Sequence, residues 1–445
     1  MTLINSQQIK AMIRPGYSLE EIRTLSAFLE RMGTFAFASL PNGLFPAAVL
    51  DSDESYTAYS DVWVRDNIHI AHAHYAVGRA STATKTVRAL MQYFVKHRRR
   101  FVDIIEGRSD PAIAMNRPHI RFDGRTLEEV KGKWAHAQND ALGYFLWLFS
   151  KLVNEGNLSP AQDELDTLAL FPLYFRAIRY WEDEDSGHWE ETRKVSASSI
   201  GVVIAGLHEF GKLISITQQV CKHNETAITA EFVESLIKRG EEALGSILPA
   251  ECVQADPSKH RLYDCALLFL IYPLKVLKGQ KADTVLGNVS AHLQGEFGVR
   301  RYLGDSYWAP DYKNKLSPEQ RTADCSDDLS RRDRLLPALG QEAQWCIFDP
   351  IISCVYGMRF RATRLEGTLT KQTEYLNRSL GQITPEGCQQ APPFRCPELY
   401  YLEHGRYVPN DHVPLLWTQA NLMLSLKLME ESCILAAGPR QVGGM

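Results

Sequence analysis

Residues 187–199 read Gly187-His188-Trp189-Glu190-Glu191-Thr192-Arg193-Lys194-Val195-Ser196-Ala197-Ser198-Ser199, and residues 200–213 continue as IGVVIAGLHEFGKL. The first half is a polar stretch dense in charge around one tryptophan; the second carries apolar residues at helical spacing. This pairing of a long polar and aromatic loop with a following helix repeats down the chain and decides the fold. Ser18-Leu19-Glu20-Glu21 is a capping box that opens an amphipathic run to Met32. Helical periodicity returns around 67–79, 82–105, 136–153, 160–180 (one helix or two), 197–213, 227–246, 262–276, 283–294, 343–359, 367–380 and 414–431. That makes about a dozen helices. Strands are few: 35–40 and 396–402 read as an edge pair. The loops 107–135, 181–196, 298–341 and 381–413 are long and rich in Asp, Glu, Trp, Tyr and Pro. Loops of that length are usually functional or disordered, and their aromatic content predicts order.

Helices in this number, with the chemistry gathered on the loops between them, predict an all-α fold: an (α/α)6 barrel, six helical hairpins closed into a toroid. A superhelix of helical repeats has the same periodicity, but no repeat of fixed period is present. No linker interrupts 1–435, which reads as one domain, and 436–445 reads as a loose tail. The net charge of -4 argues against a nucleic-acid partner. The one basic run, 96–100 (KHRRR), suits a solvated helix end. Residues 1–13 lack an apolar signal core, and no stretch approaches the roughly 18 uninterrupted apolar residues of a membrane span. Nine cysteines stand singly without CxxC spacing. They read as reduced thiols, and a cytoplasmic location is expected.

Of the eight tryptophans, Trp63, Trp134, Trp181, Trp189, Trp308 and Trp345 lie close to an Asp or Glu in polar stretches, whereas Trp147 and Trp417 sit in apolar runs. Trp63-Val64-Arg65-Asp66 and Trp189-Glu190-Glu191 set carboxylates directly beside an indole. An indole lies flat against the C–H face of a sugar ring, an Arg–Asp pair grips ring hydroxyls, and a second carboxyl supplies a proton. Breaking an acetal bond needs one protonated and one ionised carboxyl flanking it. Trp189 is an apolar neighbour that favours the protonated form of Glu190.

Plainer readings stand beside these. Asp66 or Asn67 is also placed to cap a helix beginning at Ile68. Glu190 and Glu191 also fit a solvated acidic loop, and Trp134 fits plain core. His69, His72 and His74 do not make a metal site, because only the first two share a helix face and no third ligand is evident. No GxSxG, P-loop or GxGxxG occurs, so neither a serine nucleophile nor a nucleotide is expected. Residues 321–334 balance four arginines against four aspartates and read as a solvated loop or as a lid.

Three stretches carry a family resemblance. Trp63-Val64-Arg65-Asp66 resembles the WxRD motif of glycoside hydrolase family fifteen, the glucoamylases. Residues 134–140 (WAHAQND) are similar to that family's WxxxQND segment, and Trp189-Glu190-Glu191 with 196–199 (SASS) to its WEE…SS segment. The ASSxG pattern at 197–201 also resembles the glucoamylase-like domains of the phosphorylase kinase α and β regulatory subunits. Residues 262–268 (LYDCALL), 298–302 (GVRRY) and 397–401 (PELYY) keep the family's order, so the resemblance spans nearly the whole chain.

The resemblance implies an inverting, exo-acting hydrolase of α-glucosidic bonds that releases β-glucose from the non-reducing end, with no metal or cofactor. It assigns Glu190 as general acid and Glu398 as general base, with Glu403 the alternative base. It implies that Trp63, Arg65, Asp66, Trp134, Asp140, Trp189, Glu191, Arg301 and Trp345 bind an α-linked gluco-oligosaccharide or glucan. His136 replaces an arginine common in the family's second motif. The matching kinase segment reads PKLYY, so Glu398 favours a working hydrolase. The rival expectation is a non-catalytic, glucan-sensing regulatory module.

Overall fold

In a computed structural model, which describes residues 6–48, 60–217, 221–224, 226–321 and 334–438, the chain is built mainly from helices. The principal ones are α1 Gln7–Met12, α2 Leu19–Arg31, α3 Val64–Ala76, α4 Ala80–Lys96, α5 Arg99–Ile105, α6 Asn139–Asn154 and α7 Gln162–Ala177. They continue with α8 Ala197–Thr217, α9 Ala230–Ile247, α10 Leu267–Ile271, α11 Gly279–Asn288, α12 Phe348–Thr363, α13 Glu366–Gly381 and α14 Leu416–Ala436. Helices α3, α6, α8, α10, α12 and α14 each pack on the next, and α14 returns to α3, closing an inner ring. Outside it, α4 backs α3, α7 backs α6, α9 backs α8, α11 backs α10, α13 backs α12 and α2 backs α14. This is the (α/α)6 barrel.

The residue pattern explains which helix sits where. In α3 every residue from Val64 to His74 is buried, and in α6 every one from Asn139 to Ser150. A helix apolar or internally satisfied on all sides belongs inside. The outer helix α9 buries a single stripe, Val233, Leu236, Ile237, Gly240, Leu244 and Ile247. Helices α6 and α8 approach closest at two glycines: a Cβ on Gly206 would lie 2.7 Å from the Gly143 carbonyl oxygen. Among the described residues α8 alone is long and apolar enough to cross a membrane (197–216, mean hydropathy 1.4), and here it is a wall of the inner ring.

Short strands organise the rim where the inner helices begin. Strands β1 Val62–Trp63, β2 Arg121–Asp123 and β3 Glu128–Glu129 form one antiparallel sheet, with Trp63 opposite Arg121. Strands β4 Gln344–Trp345, β5 Leu399–Glu403 and β6 Arg406–Pro409 form another, ordered β6-β5-β4.

The structure corrects several expected boundaries. Residues 35–40 are not a strand; β5 pairs with β4 and β6 instead. The stretch 82–105 is two helices, whereas 160–180 holds one, α7, with Pro172 inside it. The 262–276 stretch is helical only over α10, and 343–359 begins with strand β4 before α12. Helix α3 starts at Val64, so Asp66 lies in its first turn and Asn67 caps nothing. The Asn67 amide instead holds the backbone of Phe45 and Trp63. Of the run 321–334, residues 322–333 lie outside the described residues, as does the tail from 439. The eight described cysteines are free thiols.

Candidate active site

Each inner helix is entered from a loop on the same rim, and those loops bring the expected residues together. Trp63 leads into α3, Gln138 into α6, the 187–196 loop into α8, Asp264 into α10 and Trp345 into α12. Glu398 sits on the loop that leads through β5 and β6 toward α14.

Glu190 occupies a left-handed backbone conformation (φ 58, ψ 42) at the end of a 3-10 turn that begins at Gly187, itself with φ 56. For a non-glycine residue that conformation costs on the order of 1 kcal/mol or more, and such strain collects at functional sites. The conformation turns the side chain back across the rim, where Oε1 accepts from Trp63 Nε1 at 2.8 Å and from an Arg65 terminal nitrogen at 3.3 Å. The carboxyl remains 19% exposed. Burial pushes its pKa up, against the pull of the Arg65 and Arg121 cations and the Trp63 hydrogen bond. It is a carboxyl biased toward holding a proton.

Asp66 feels the charge of both candidate catalytic carboxyls. Burial, with the charges of Glu190 and Glu398 adding to it and Arg65 opposing, pushes its pKa up to about 7. Glu398 is buried; its Oε2 lies 2.7 Å from His412 Nδ1 and also accepts from the Asn410 amide. Its backbone is fixed by Cys346 N–H donating to its carbonyl at 2.9 Å, continuing the β4–β5 ladder. Glu403, the alternative base, lies at the far end of β5, where it accepts from the Tyr401 hydroxyl at 2.6 Å and pairs with Arg406 across the hairpin.

The remaining residues fall into two groups. At the rim Trp63 and Trp134 meet edge to face with centroids 6.2 Å apart. Arg65 donates to Gln138 at 2.9 Å and to Asp140 at 2.8 Å. Asp140 is wholly buried, where it accepts from Arg65 and lies 3.7 Å from His188 Nδ1. On the other side, Trp189, Trp345 and Tyr307 surround the Arg301 guanidinium at 5.2, 4.5 and 5.2 Å, and that guanidinium forks onto Asp305 at 2.6 and 2.7 Å. Glu191 turns away from Glu190. Although burial opposes ionisation, Arg261 and Lys194 hold its pKa well below the usual carboxylate range. Arg261 forks onto both of its oxygens at 2.8 and 3.0 Å, and the Tyr302 hydroxyl adds a third bond. Glu191 is thus held in an ion-pair cluster with Arg261 and Lys194.

His69, His72 and His74 pack on aromatic rings: His69 stacks on Trp417 at 4.5 Å, His72 lies against Trp147, and His74 stacks on Phe45. Burial lowers the pKa of all three. His136 stacks on His119 at 3.7 Å.

Several rim residues carried no role in the sequence. Asp264 accepts from Trp189 Nε1 at 2.9 Å and from Arg261 at 2.8 Å, orienting both. Arg121, on β2, lies 4.2 Å over Trp134 and 5.1 Å from Trp63. Asp264 lies inside the family-like segment 262–268, but Arg121, Asn410 and His412 have no local signal, since only strand pairing brings them to the rim.

A closed ring of six helices, with indoles, arginines and carboxyls gathered at one rim, defines an (α/α)6-barrel protein. The profile of glycosyl hydrolases family 15 matches residues 24–313, and the chain belongs to that family. Over 204 residues it is 30% identical to the uncharacterized lipoprotein YgeQ of Escherichia coli (strain K12), covering 41% of this chain and 77% of that one. It is 25% identical over 409 residues to the liver isoform of the phosphorylase b kinase regulatory subunit alpha of Mus musculus. That match covers 83% of this chain, which spans only 30% of the subunit's length. A solved glycosidase in complex with glucose superposes with a TM-score of 0.62 at 15% identity, covering 93% of this chain and 99% of that one.

Proposed function

We propose that this protein is an inverting, exo-acting glycoside hydrolase that cleaves α-glucosidic bonds from the non-reducing end and releases β-glucose. The observation that carries the reading is the Glu190 carboxyl bonded to Trp63 and Arg65 at the rim, with a second buried carboxyl, Glu398, held by His412 and Asn410 and both charges reaching Asp66. Glu190, biased toward its protonated form, is the general acid that protonates the glycosidic oxygen. Glu398, held by His412 and Asn410, is the general base that takes a proton from water attacking the anomeric carbon. Arg65 and Asp66 hold hydroxyls of the terminal glucose, with Trp63 and Trp134 as the apolar wall. Family membership and the likeness to a glucose-bound glycosidase fold support this reading.

A second reading, a non-catalytic glucan-binding module, is favoured by the match to phosphorylase kinase regulatory subunits. Incubating the purified chain with maltose, isomaltose, trehalose and starch, and following the product anomer by proton NMR, separates the two. Appearance of β-glucose first supports the hydrolase. Sugar binding without glucose release supports the module, and α-glucose as first product refutes inversion.

A further inference from the structure

Arg121 is a cation packed on the indole that bonds the candidate acid. Strand pairing sets it opposite Trp63, and its guanidinium lies over Trp134 and against Trp63. Its Nε donates to Asp61 at 2.8 Å. Among the described residues, its two terminal nitrogens donate to nothing, although the side chain is only 11% exposed. A largely buried guanidinium stacked on one indole and flanked by another, with both ends of its fork open, is prepared for a planar oxyanion. Arg65 shows the contrast, since one terminal nitrogen donates to both Gln138 and Asp140 and the other donates one N–H to Glu190.

We infer that Arg121 is a specificity-determining residue for the leaving group, and that the preferred substrates are α-glucosides whose aglycone carries a carboxylate or phosphate. The inference rests on the glycosidase reading of the site. Position supports it: Arg121 and Trp134 both pack against Trp63, whose indole N–H donates to Glu190, the group that meets the leaving-group oxygen. Charge supports it as well. Arg121's field works against the proton on Glu190. An anion docked on the fork cancels that field when the acid must be protonated, so an anionic substrate sharpens its own catalysis.

The test uses two uncleavable probes that differ in charge but hardly in shape, 4-carboxyphenyl and 4-carbamoylphenyl 1-thio-α-glucoside, with glucose as a third ligand. Affinities are measured by calorimetry on the full chain and on Arg121→Gln, Arg121→Lys and Asp61→Asn. The carboxylate probe is expected to bind at least about tenfold more tightly than the amide, and the ratio to fall to about twofold or less in Arg121→Gln. Arg121→Lys is expected to keep part of the preference, because a point charge attracts without the fork. Asp61→Asn is expected to widen it by freeing the guanidinium charge. Equal affinities in the unmodified chain, or an unchanged ratio in Arg121→Gln, overturn the inference. Failure of glucose itself to bind the unmodified chain overturns the sugar site and the inference together. Glucose binding without any glucoside hydrolysis overturns only catalysis, and the affinity ratio still decides the anion preference.

Discussion

The indole N–H of Trp63 donates to Glu190 Oε1 at 2.8 Å, joining the entry of the first inner helix to the loop before the third. The bond favours the ionised carboxylate and so restrains a proton affinity that burial raises. Trp63→Phe keeps the apolar wall and removes the donor. The alkaline limb of the kcat/KM profile is expected to move to higher pH, with kcat at the optimum falling by about tenfold. Glu190→Gln is expected to lower kcat by about 100-fold or more while glucose affinity changes little. An unshifted alkaline limb in Trp63→Phe, measured on an aryl α-glucoside, would sink the coupling.

The base assignment is decided by a pair of variants. Glu398→Gln is expected to reduce kcat by about 100-fold or more, because Glu398 is a buried carboxyl held by His412 and Asn410 whose charge reaches Asp66. Glu403→Gln keeps an amide oxygen that can accept from the Tyr401 hydroxyl and is expected to cost less than about fivefold. A reversed order of the two effects transfers the base to Glu403.

Asp185 gives a stability prediction with a definite sign. Burial, helped by the Asp140 charge, raises its pKa from 3.8 to about 7. Between those values the folded state holds a proton that the unfolded state has released, so this group's contribution to stability falls as pH rises through that window. The full span is worth at most about 4 kcal/mol. Asp185→Asn has no charge to bury and keeps an acceptor for Asn139 N–H, which donates to Oδ2 at 2.9 Å. Urea midpoints should therefore favour the variant near pH 8 far more than near pH 5. An equal difference at both pH values would show that Asp185 does not carry the dependence.

The α6–α8 contact is tested with glycines. Gly206→Ala would drive its Cβ into the Gly143 carbonyl at 2.7 Å, a backbone atom that cannot turn aside. A cost of about 1–3 kcal/mol is expected from overpacking. Gly245, on exposed α9, has nothing within 4 Å of the position an added methyl would take, so Gly245→Ala should gain up to about 1 kcal/mol. Calorimetric melting is expected to move in opposite directions for the two; a neutral Gly206→Ala would contradict the close packing.

Sequence alone determined the helical architecture and the two indole–carboxylate segments, because both are local. Helical spacing is set within a few residues, and Trp63 to Asp66 and Trp189 to Glu191 are neighbours along the chain. Their relation to one another is not local. That Trp63 bonds Glu190, that Asp66 feels both Glu190 and Glu398, and that Arg121 faces Trp63 follow only once six helices close and short strands pair across the rim. Tertiary structure also divided the adjacent pair, aiming Glu190 at Trp63 and giving Glu191 to Arg261. The cause is one backbone residue in a left-handed conformation, whose strain is sustained by contacts distant in sequence.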